Sequence, residues 1–182
     1  MIKKLASKLK KEPGSKMQEA GLAYLGELGI QAPIGTFVDL GTYRGASAVM
    51  LACVSATGDV YTVDNYHEGP DATKHQGPYP SPDDVRDLCS GLGVQVLIGD
   101  TAAVTWVKPP VTLVFVDADH RRAGLERDIE RWKPEVVVGG IMAFDDYGSA
   151  RWPDVKPVVD EHFADWRRLG VKGGVAAFKR VK

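Results

Sequence analysis

The fold of this chain is indicated most clearly by the stretch Phe-Val-Asp-Leu-Gly-Thr-Tyr-Arg-Gly at residues 37–45. A short apolar run from Thr36 to Leu40 predicts a buried strand. Gly41 and Gly45 then allow a tight turn and a close approach of the backbone to a ligand. The residues from 46 to 56 are rich in Ala, Val, Met and Leu and predict a helix. A strand, a glycine turn and a helix in this order are typical of α/β proteins.

The same alternation continues outward from this stretch. Further strands are predicted at 60–63, 94–98, 111–116 and 140–144, and further helices at 18–28, 82–90, 121–132 and 155–166. Strands that alternate with helices indicate a mainly parallel sheet covered on both faces. Two closing strands, at 167–169 and 175–179, are too close together for a crossover helix and should pair antiparallel. We therefore predict an α/β fold in one domain spanning residues 1–182, with a mostly parallel seven-stranded sheet and a C-terminal antiparallel hairpin.

Composition and charge narrow the classes of partner. The chain has 182 residues, with 23 Lys and Arg against 24 Asp and Glu, which leaves a formal net charge of -1. Because phosphate binding needs a clustered positive surface, this balance argues against nucleic acid as a main partner. The apolar stretches predict neither a signal peptide nor a membrane span. Cys53 and Cys89 fall in predicted helices without metal-ligand spacing, so we expect core or near-core thiols in the reducing cytoplasm.

The only local charge bias lies at the amino terminus, in residues 1–16. Five lysines crowd this segment, at Lys3, Lys4, Lys8, Lys10 and Lys11. Ile2, Leu5 and Leu9 stand among them at helical spacing, which leaves open a short amphipathic helix with a lid or membrane-surface role. The interpretation that we favour is a solvated, partly frayed basic arm.

Carboxylates follow the predicted parallel strands at the point where each strand ends. They are Asp39, Asp64, Asp100, Asp117 and the adjacent pair Asp145 and Asp146. Ligands of open parallel sheets bind beyond the carboxyl ends of the strands, near the point where the strand order reverses. We therefore expect the functional site at this edge of the sheet.

The first of these strand ends constrains the ligand. Gly41 and Gly45 are spaced G-x-x-x-G, which differs from the G-x-G-x-x-G that seats a dinucleotide pyrophosphate. Asp39 would also repel a pyrophosphate, whereas it suits the cationic end of a methionine moiety. Asp64, at the end of the next strand, is placed to accept hydrogen bonds from ribose hydroxyls.

Five segments together resemble the successive motifs of class I S-adenosylmethionine-dependent methyltransferases. They are 39–47 (Asp-Leu-Gly-Thr-Tyr-Arg-Gly-Ala-Ser), 63–64 (Val-Asp), 99–101 (Gly-Asp-Thr), 115–120 (Phe-Val-Asp-Ala-Asp-His) and 139–147 (Gly-Gly-Ile-Met-Ala-Phe-Asp-Asp-Tyr). The last two look like the family-24 and macrocin-type O-methyltransferases, which are similar to the catechol type. The resemblance covers roughly residues 36–163 and implies a Rossmann-like fold with S-adenosylmethionine as the methyl donor.

The resemblance also implies which residues hold the methyl donor. Asp39, Gly41 and Ser47 would hold its methionine end, Asp64 its ribose, and Asp100 with Thr101 its adenine. The predicted cofactor-binding set is completed by four neighbours of these positions, namely Tyr43, Gly45, Asn65 and Asp117.

Three carboxylates at the ends of the fourth and fifth strands predict a metal site. Asp117, Asp145 and Asp146 would converge there, because neighbouring strands lie about 5 Å apart. Without a cation they would repel one another and have raised pKa values. Hard carboxylate oxygens suit Mg²⁺, or less selectively Mn²⁺ or Ca²⁺. In the resembled enzymes this triad binds a divalent metal that chelates two adjacent substrate oxygens.

His120 is the predicted catalytic residue. It stands three residues after Asp117 and could face the same cleft. Its unperturbed pKa near the working pH suits a general base, whereas the catechol-type enzymes have a lysine at this position. Asp119 fits a helix cap better than a metal ligand. Tyr147, Trp152 and the long loop 65–81 would shape the acceptor pocket.

The remaining histidines carry weaker expectations. Substrate contact by His67 and His75 stays open, but we favour solvent-exposed loop residues, and we predict that His162 is structural, on a helix face.

The combined prediction is an S-adenosylmethionine-dependent, divalent-metal-assisted O-methyltransferase. Its acceptor would be a small hydroxylated molecule, such as a vicinal diol, a sugar or a catechol-like phenol. Two alternatives stay open. One is an S-adenosylmethionine-binding protein without turnover, and the other is an NAD-dependent oxidoreductase, which the glycine spacing and the closing hairpin disfavour. A homodimer is compatible with the sequence.

Overall fold

The structure, a computed structural model, describes residues 1–11, 15–67, 79–106 and 110–182. Within these ranges the helices are α1 (Ile2–Lys11), α2 (Glu19–Gln31), α3 (Ala46–Val54), α4 (Pro82–Leu88), α5 (Arg122–Trp132) and α6 (Val155–His162). The strands are β1 (Thr36–Leu40), β2 (Val60–Asp64), β3 (Val94–Ile98), β4 (Val111–Val116), β5 (Val136–Phe144), β6 (Arg167–Lys172) and β7 (Val175–Lys179). A 3₁₀ turn at Lys133–Glu135 precedes β5.

The seven strands form one sheet in the order β3-β2-β1-β4-β5-β7-β6. Strands β1 to β5 pair in parallel, and β7 runs antiparallel to both β5 and β6. The predicted mostly parallel seven-stranded sheet with a C-terminal antiparallel hairpin is therefore confirmed. The order reverses between β1 and β4, because the chain moves outward through β2 and β3 before it crosses back.

The central strands are apolar on both faces because helices cover both sides of the sheet. In β4, Leu113 and Phe115 pack with the cluster formed by α1, α2 and α3. Val114 and Val116 point the other way, into the cluster that contains the buried side chains of α5 and α6. Alternate residues of one continuous apolar run thus belong to two different cores.

The amino-terminal segment is a helix, and our prediction of a frayed arm is wrong for its first eleven residues. Ala6 and Leu9 are buried on α1, and a side chain added at Gly26 of α2 would touch Ile2. The amphipathic spacing noted in the sequence is what allows this packing, because the lysines occupy the other face. The polar bias of the segment therefore belongs to a packed helix.

Two element boundaries differ from the predicted ones because of packing. Helix α2 continues through Gly29 to Gln31, because the glycine serves a contact between helices: a Cβ there would lie 2.5 Å from Cγ2 of Val54. Strand β5 begins at Val136, four residues earlier than predicted, and shifts its register against β4 before Ile141.

The C-terminal elements also differ in length from the prediction. Helix α6 ends at His162, and the next residue, Phe163, packs into the core as the helix C-cap. Strand β6 extends to Lys172, so that the hairpin turns through Gly173 and Gly174. At Gly173 a Cβ would lie 2.2 Å from the backbone nitrogen of Gly21, so this turn packs tightly on α2.

The two cysteines lie in different environments. Cys89 is buried as predicted, and burial raises the pKa of its thiol to about 11. Cys53 is exposed on α3, which corrects its prediction as a core or near-core thiol. Among the described residues, no helix is both long and apolar enough to cross a membrane.

Candidate active site

The reversal of strand order brings the ends of β1, β4 and β5 to one edge of the sheet. The backbone N–H of Asp117 donates to the carbonyl of Leu40 at 2.8 Å, and that of Asp145 donates to the carbonyl of Val116 at 3.0 Å. The loops that follow these strands are therefore held against one another. Open α/β sheets bind their ligands at such a switch point.

The loop after β1 is built from left-handed backbone. Gly41, Tyr43 and Gly45 have φ values of +91°, +45° and +80°, and Gly45 is the N-cap of α3. A Cβ at Gly41 would lie 2.1 Å from the carbonyl oxygen of Asp117. A glycine is therefore required at position 41 because the backbone there lies against the loop that follows β4 of the same chain.

Asp39 lies inside β1 and is fully buried. Its Oδ2 accepts hydrogen bonds from the hydroxyls of Ser47 at 3.1 Å and Thr62 at 2.7 Å, while its Oδ1 is buried without a hydrogen-bond partner. Burial, only partly offset by these two hydrogen bonds, raises the pKa of Asp39 to about 7. Two residues predicted to hold the same end of the methyl donor are therefore bonded to each other.

Asp64, at the end of β2, is the acceptor for three donors. Its Oδ2 accepts the backbone N–H of Tyr43 at 2.9 Å, and its Oδ1 accepts that of Tyr66 at 2.8 Å. The hydroxyl of Tyr79 donates to Oδ2 at 3.2 Å, and its ring meets that of Tyr43 edge to face. A tyrosine hydroxyl thus binds the carboxylate that was predicted to receive ribose hydroxyls.

A small cavity opens beside this loop. Its lining comprises Ser15, Met17, Gly41, Thr42, Tyr43, Arg44, Ala46, Ser47 and Asp117. Four of the predicted cofactor residues are in that lining, whereas Asp39 and Gly45 are not. Ser15 and Met17 come from the segment after α1, where the ammonium group of Lys10 donates to both of their carbonyls.

The loop after β3 is tied to helix α5. The guanidinium of Arg127 donates to Asp100 at 2.7 Å, and the hydroxyl of Thr101 donates to Asp128 at 2.6 Å. The indole N–H of Trp132 donates to the carbonyl of Thr101 at 2.8 Å. The side chains of Asp100 and Thr101, predicted for adenine, are therefore engaged with α5.

Asp128, which accepts the bond from Thr101, is a buried carboxylate whose Oδ2 has no hydrogen-bond partner. Burial, opposed by the bond from Thr101, raises its pKa to about 6. Because the folded state holds this proton more tightly than the unfolded chain, its stability should fall as the pH rises from about 4 to above 6. Asp128→Asn imitates the neutral acid and should stabilise the protein by about 1–3 kcal/mol at pH 8, and much less at pH 4.

Urea unfolding at both pH values measures this effect. Glu130→Gln, on the exposed side of the same helix, is the matched control and should change the free energy of unfolding little at either pH. A gain for Asp128→Asn that is equal at pH 4 and pH 8 would contradict the titration of Asp128.

Three groups converge beyond the ends of β4 and β5. Asp117, His120 and Asp146 each present one potential ligand atom, and all three atoms lie within 4.8 Å of one another. Nε2 of His120 lies 3.2 Å from Oδ1 of Asp117 and 3.5 Å from Oδ2 of Asp146. Asp146 adopts a left-handed φ of +54°, a conformation that aspartate tolerates better than most residues other than glycine.

Asp145 is close to this group without belonging to it. It is buried, and burial together with the charges of Asp117 and Asp146 raises its pKa to about 8. Burial also raises the pKa of Asp117. The predicted carboxylates thus gather in one place, but a histidine stands where the prediction had the third carboxylate.

His120 is held by an aromatic neighbour. Its ring stacks on that of Trp152 with centroids 5.0 Å apart and planes at 19°. Burial lowers the pKa of His120, but the close approach and the charge of Asp117, followed by the charge of Asp146, outweigh it, so that the pKa is raised. The guanidinium of Arg151 lies over the Trp152 ring at 5.3 Å.

Other predicted residues have local roles. Oδ1 of Asp119 accepts the backbone N–H of Arg121 at 3.0 Å in the turn before α5, but the N-cap of α5 is Arg121, so the prediction that Asp119 caps the helix is wrong. The hydroxyl of Tyr147 donates to Asp160 of α6, so the polar end of this tyrosine is engaged with that helix. Oδ1 of Asn65 accepts the backbone N–H of His67 at 2.9 Å, and both residues are exposed.

The sequence also singled out two further histidines, His162 and His75. His162 is partly buried on α6, and its carbonyl accepts a hydrogen bond from the ammonium group of Lys133. His75 and most of the predicted loop lie outside the described residues.

Residues 38–147 match the model of a methyltransferase-domain family, family 24. The chain belongs to this family. It is a class I S-adenosylmethionine-dependent methyltransferase, as its sequence motifs indicate. A stretch of 56 residues, which is 30% of this chain, is 36% identical to an uncharacterised protein of Acanthamoeba polyphaga mimivirus. The stretch covers 25% of that viral protein.

Solved structures share the fold of the methyltransferase. The O-methyltransferase NovP is similar with a TM-score of 0.77 and 17% identity, over 100% of this chain and 96% of NovP. The calicheamicin methyltransferase CalS11 follows at 0.62 and 16%, over 97% and 91% of the two chains. The S-adenosylhomocysteine-bound methyltransferase PaMTH1 of Podospora anserina reaches 0.63 and 14%, over 100% and 87%.

Sequence reasoning missed four residues at the site of the methyltransferase: Ser15, Met17, Tyr79 and Asp128. Ser15 lies in the segment that we predicted to be a solvated arm and Met17 follows it directly, so no pattern drew attention to them. Tyr79 belongs to the predicted binding loop, which gave a regional signal only. Asp128 occupies a helix of otherwise alternating charge, where burial cannot be distinguished from exposure by residue type.

A second cavity of about 260 Å³ lies at the opposite end of β1. Its lining is apolar and comprises Gly29, Ile30, Ala32, Pro33, Ile34, Gly35, Phe37, Val54 and Ala56. The lining residues carry no titratable side chain, and the cavity is remote from the strand-end carboxylates. We assign no part of the chemistry to it.

Proposed function

We propose that the protein is a divalent-metal-assisted O-methyltransferase whose acceptor is a small molecule with two adjacent oxygens, such as a vicinal diol, a sugar or a catechol-like phenol. One observation carries the proposal. Asp117 lines the cavity beside the glycine loop and also belongs to the Asp117–His120–Asp146 group. A methyl donor in the cavity and an acceptor at the group would therefore share a wall.

The lining of the cavity supports binding of S-adenosylmethionine by its residues and by its charge. Gly41, Tyr43 and Ser47 line it, and we assign them to the methionine end. Asp39 stands behind them as a buried support, and the negative charge of Asp117 favours a cationic sulfonium nearby. We assign Asp64 to the ribose hydroxyls, with Asn65 beside it.

The adenine and the loop turn complete the assignment. We assign Asp100 and Thr101 to the adenine. Both side chains are already bonded to α5, so the adenine would contact the backbone of these residues and the parts of their side chains that these bonds leave accessible. Gly45 contributes the start of α3, because its left-handed conformation ends the loop.

The acidic group fits a divalent cation. Asp117 is partly exposed and Asp145 is buried, and burial together with neighbouring carboxylate charges raises the pKa values of both. A cation would remove this cost, and Nε2 of His120 is buried there without a hydrogen-bond partner. Asp117 and Asp146, with Asp145 or His120, would hold Mg²⁺ or another divalent ion.

The chemistry follows from this arrangement. S-adenosylmethionine carries an activated methyl group, and a divalent cation lowers the pKa of a hydroxyl that binds it. The chain has to align the acceptor oxygen with the methyl group and exclude water, which is mainly a proximity effect. A proton must also leave the acceptor, and we assign its removal to His120, the base predicted from sequence, or to Asp145.

Methyl transfer with and without metal tests the proposal. Purified protein, treated with EDTA and dialysed, is assayed with S-adenosylmethionine against a catechol, a glycoside with a vicinal diol and a monohydroxy phenol. We expect transfer to the first two kinds of acceptor only, a rate lowered about 100-fold or more by EDTA, and recovery with Mg²⁺ or Mn²⁺. Asp117→Asn should not recover.

Two outcomes would overturn the proposal. Full activity in EDTA would exclude metal assistance, and binding of S-adenosylmethionine by calorimetry without transfer to any hydroxylated acceptor would favour a binding protein without turnover. The cytoplasmic location, the homodimer and the exclusion of nucleic acid stay predictions from sequence.

A further inference from the structure

The atoms that converge beyond β4 and β5 differ in kind from the predicted set. Two carboxylate oxygens and one imidazole nitrogen face one another, from Asp117, Asp146 and His120. Nε2 of His120 is buried and forms no hydrogen bond, although both oxygens lie within 3.5 Å of it. A histidine that merely paired with these carboxylates would aim its N–H at one of them.

We propose that Nε2 of His120 is a ligand of the divalent cation, together with Asp117 and Asp146, and that the site therefore prefers a transition cation such as Mn²⁺ to Mg²⁺. This inference rests on the proposed metal assistance and makes it more specific. Imidazole nitrogen is a poor ligand for Mg²⁺, which takes oxygen almost exclusively, whereas first-row transition ions accept mixed nitrogen and oxygen ligands.

The spacing of the atoms agrees with a ligand set. Adjacent ligands of a six-coordinate ion with bonds of about 2.1 Å are separated by roughly 3 Å. The Nε2 separations of 3.2 Å and 3.5 Å are close to this value. The two carboxylate oxygens lie within 4.8 Å of each other, so that the three donors already surround one small space that an ion could occupy.

The stacked tryptophan gives His120 a defined orientation. Metal ligands are usually held by neighbouring groups, which fix the ring and the nitrogen that it presents. Trp152 covers one face of the imidazole at 5.0 Å. It is a positioning residue in this proposal, because it acts through His120. His120 then serves as a ligand and leaves the role of proton acceptor.

Asp145 is the alternative third ligand, but it lies in different surroundings from those of His120. Its Oδ1 lies 3.6 Å from the point where a Cβ at Gly174 would stand, in the turn between β6 and β7. Its oxygens are outside the group of atoms within 4.8 Å of one another. His120→Gln and Asp145→Asn are therefore a matched pair of variants.

Manganese binding to the full chain distinguishes the two ligands. After EDTA treatment, Mn²⁺ is titrated and free ion is followed by electron paramagnetic resonance, and bound Mn²⁺ is examined by pulsed resonance for coupling to an imidazole ¹⁴N nucleus. We expect this coupling in the unmodified protein and its loss in His120→Gln. The Mn²⁺ affinity should fall about 10-fold or more in His120→Gln and less than about 3-fold in Asp145→Asn. Mg²⁺ should displace Mn²⁺ only in large excess.

The possible failures are distinguishable. Bound Mn²⁺ without nitrogen coupling, or a greater loss of affinity in Asp145→Asn than in His120→Gln, overturns the ligand assignment and leaves metal assistance standing. Absence of Mn²⁺ and Mg²⁺ binding overturns both. The resonance measurement on the unmodified protein does not depend on the folding of a variant, and Trp152→Phe should retain the nitrogen coupling whereas Trp152→Ala should weaken the affinity.

Discussion

Asp64→Asn is expected to weaken the binding of S-adenosylmethionine by about 100-fold or more. The carboxylate already accepts the N–H groups of Tyr43 and Tyr66, and the hydroxyl of Tyr79 bonds to it at 3.2 Å. In the proposed complex, the two ribose hydroxyls bond to the same oxygens. Hydrogen bonds to a charged group contribute roughly 1.5–3 kcal/mol each, so the loss of two corresponds to this change in affinity.

In Asp64→Asn the loss of affinity is larger still, because the side-chain NH₂ group replaces an acceptor oxygen and faces the N–H and O–H groups that bonded to the carboxylate. Titration calorimetry measures the dissociation constant, and circular dichroism without ligand establishes that the variant is folded at the temperature used. Asp100→Asn is the matched control from the neighbouring strand end. Its carboxylate is half exposed and paired with Arg127, so its replacement should weaken binding less than about 5-fold. Equal effects of the two variants would contradict the assignment of the ribose to Asp64.

Gly41→Ala is expected to destabilise the fold by about 3–5 kcal/mol or to prevent folding. One part of the cost is conformational, because a φ of +91° is unfavourable for alanine by roughly 1–2 kcal/mol. The larger part is steric, since the added Cβ would lie 2.1 Å from the carbonyl oxygen of Asp117 and 2.9 Å from the Cα of Ala118. Both obstacles are backbone atoms, which cannot move aside without displacing the end of β4.

Gly91→Ala separates the two parts of this cost. Gly91 has a φ of +76° with no atom within 4 Å of its would-be Cβ, so only the conformational cost of about 1–2 kcal/mol should appear. Urea unfolding compares the midpoints of the two variants with that of the unmodified protein. Similar midpoints for Gly41→Ala and Gly91→Ala would show that the loops after β1 and β4 are not packed as described.

The fold could be predicted from the sequence because burial on both faces of a parallel sheet leaves a direct pattern. The run Val111–Val116 is apolar except for Thr112, and it is a strand covered on both sides. The capping box at Ser81, whose side chain accepts from the N–H of Asp84, likewise marks the start of α4 where the sequence placed it. The burial of α1 was misjudged, because its lysines suggested exposure while Ala6 and Leu9 supply the buried face.

The strand-end position of the site could also be predicted, because the chain itself sets which residues follow each strand. The partners of those residues could not. Asp39 and Ser47, for example, were both assigned to the methyl donor, yet they bond to each other across the loop.

The sequence by itself therefore determined the fold, the family and the edge of the sheet at which carboxylates gather. Tertiary structure decided that His120 faces Asp117 and Asp146 while Asp145 stands apart, and that Thr101 bonds to Asp128. The physical reason is one of scale. A strand or a helix follows from the apolar pattern of adjacent residues, whereas a ligand set depends on differences of about 1 Å between side chains on separate elements.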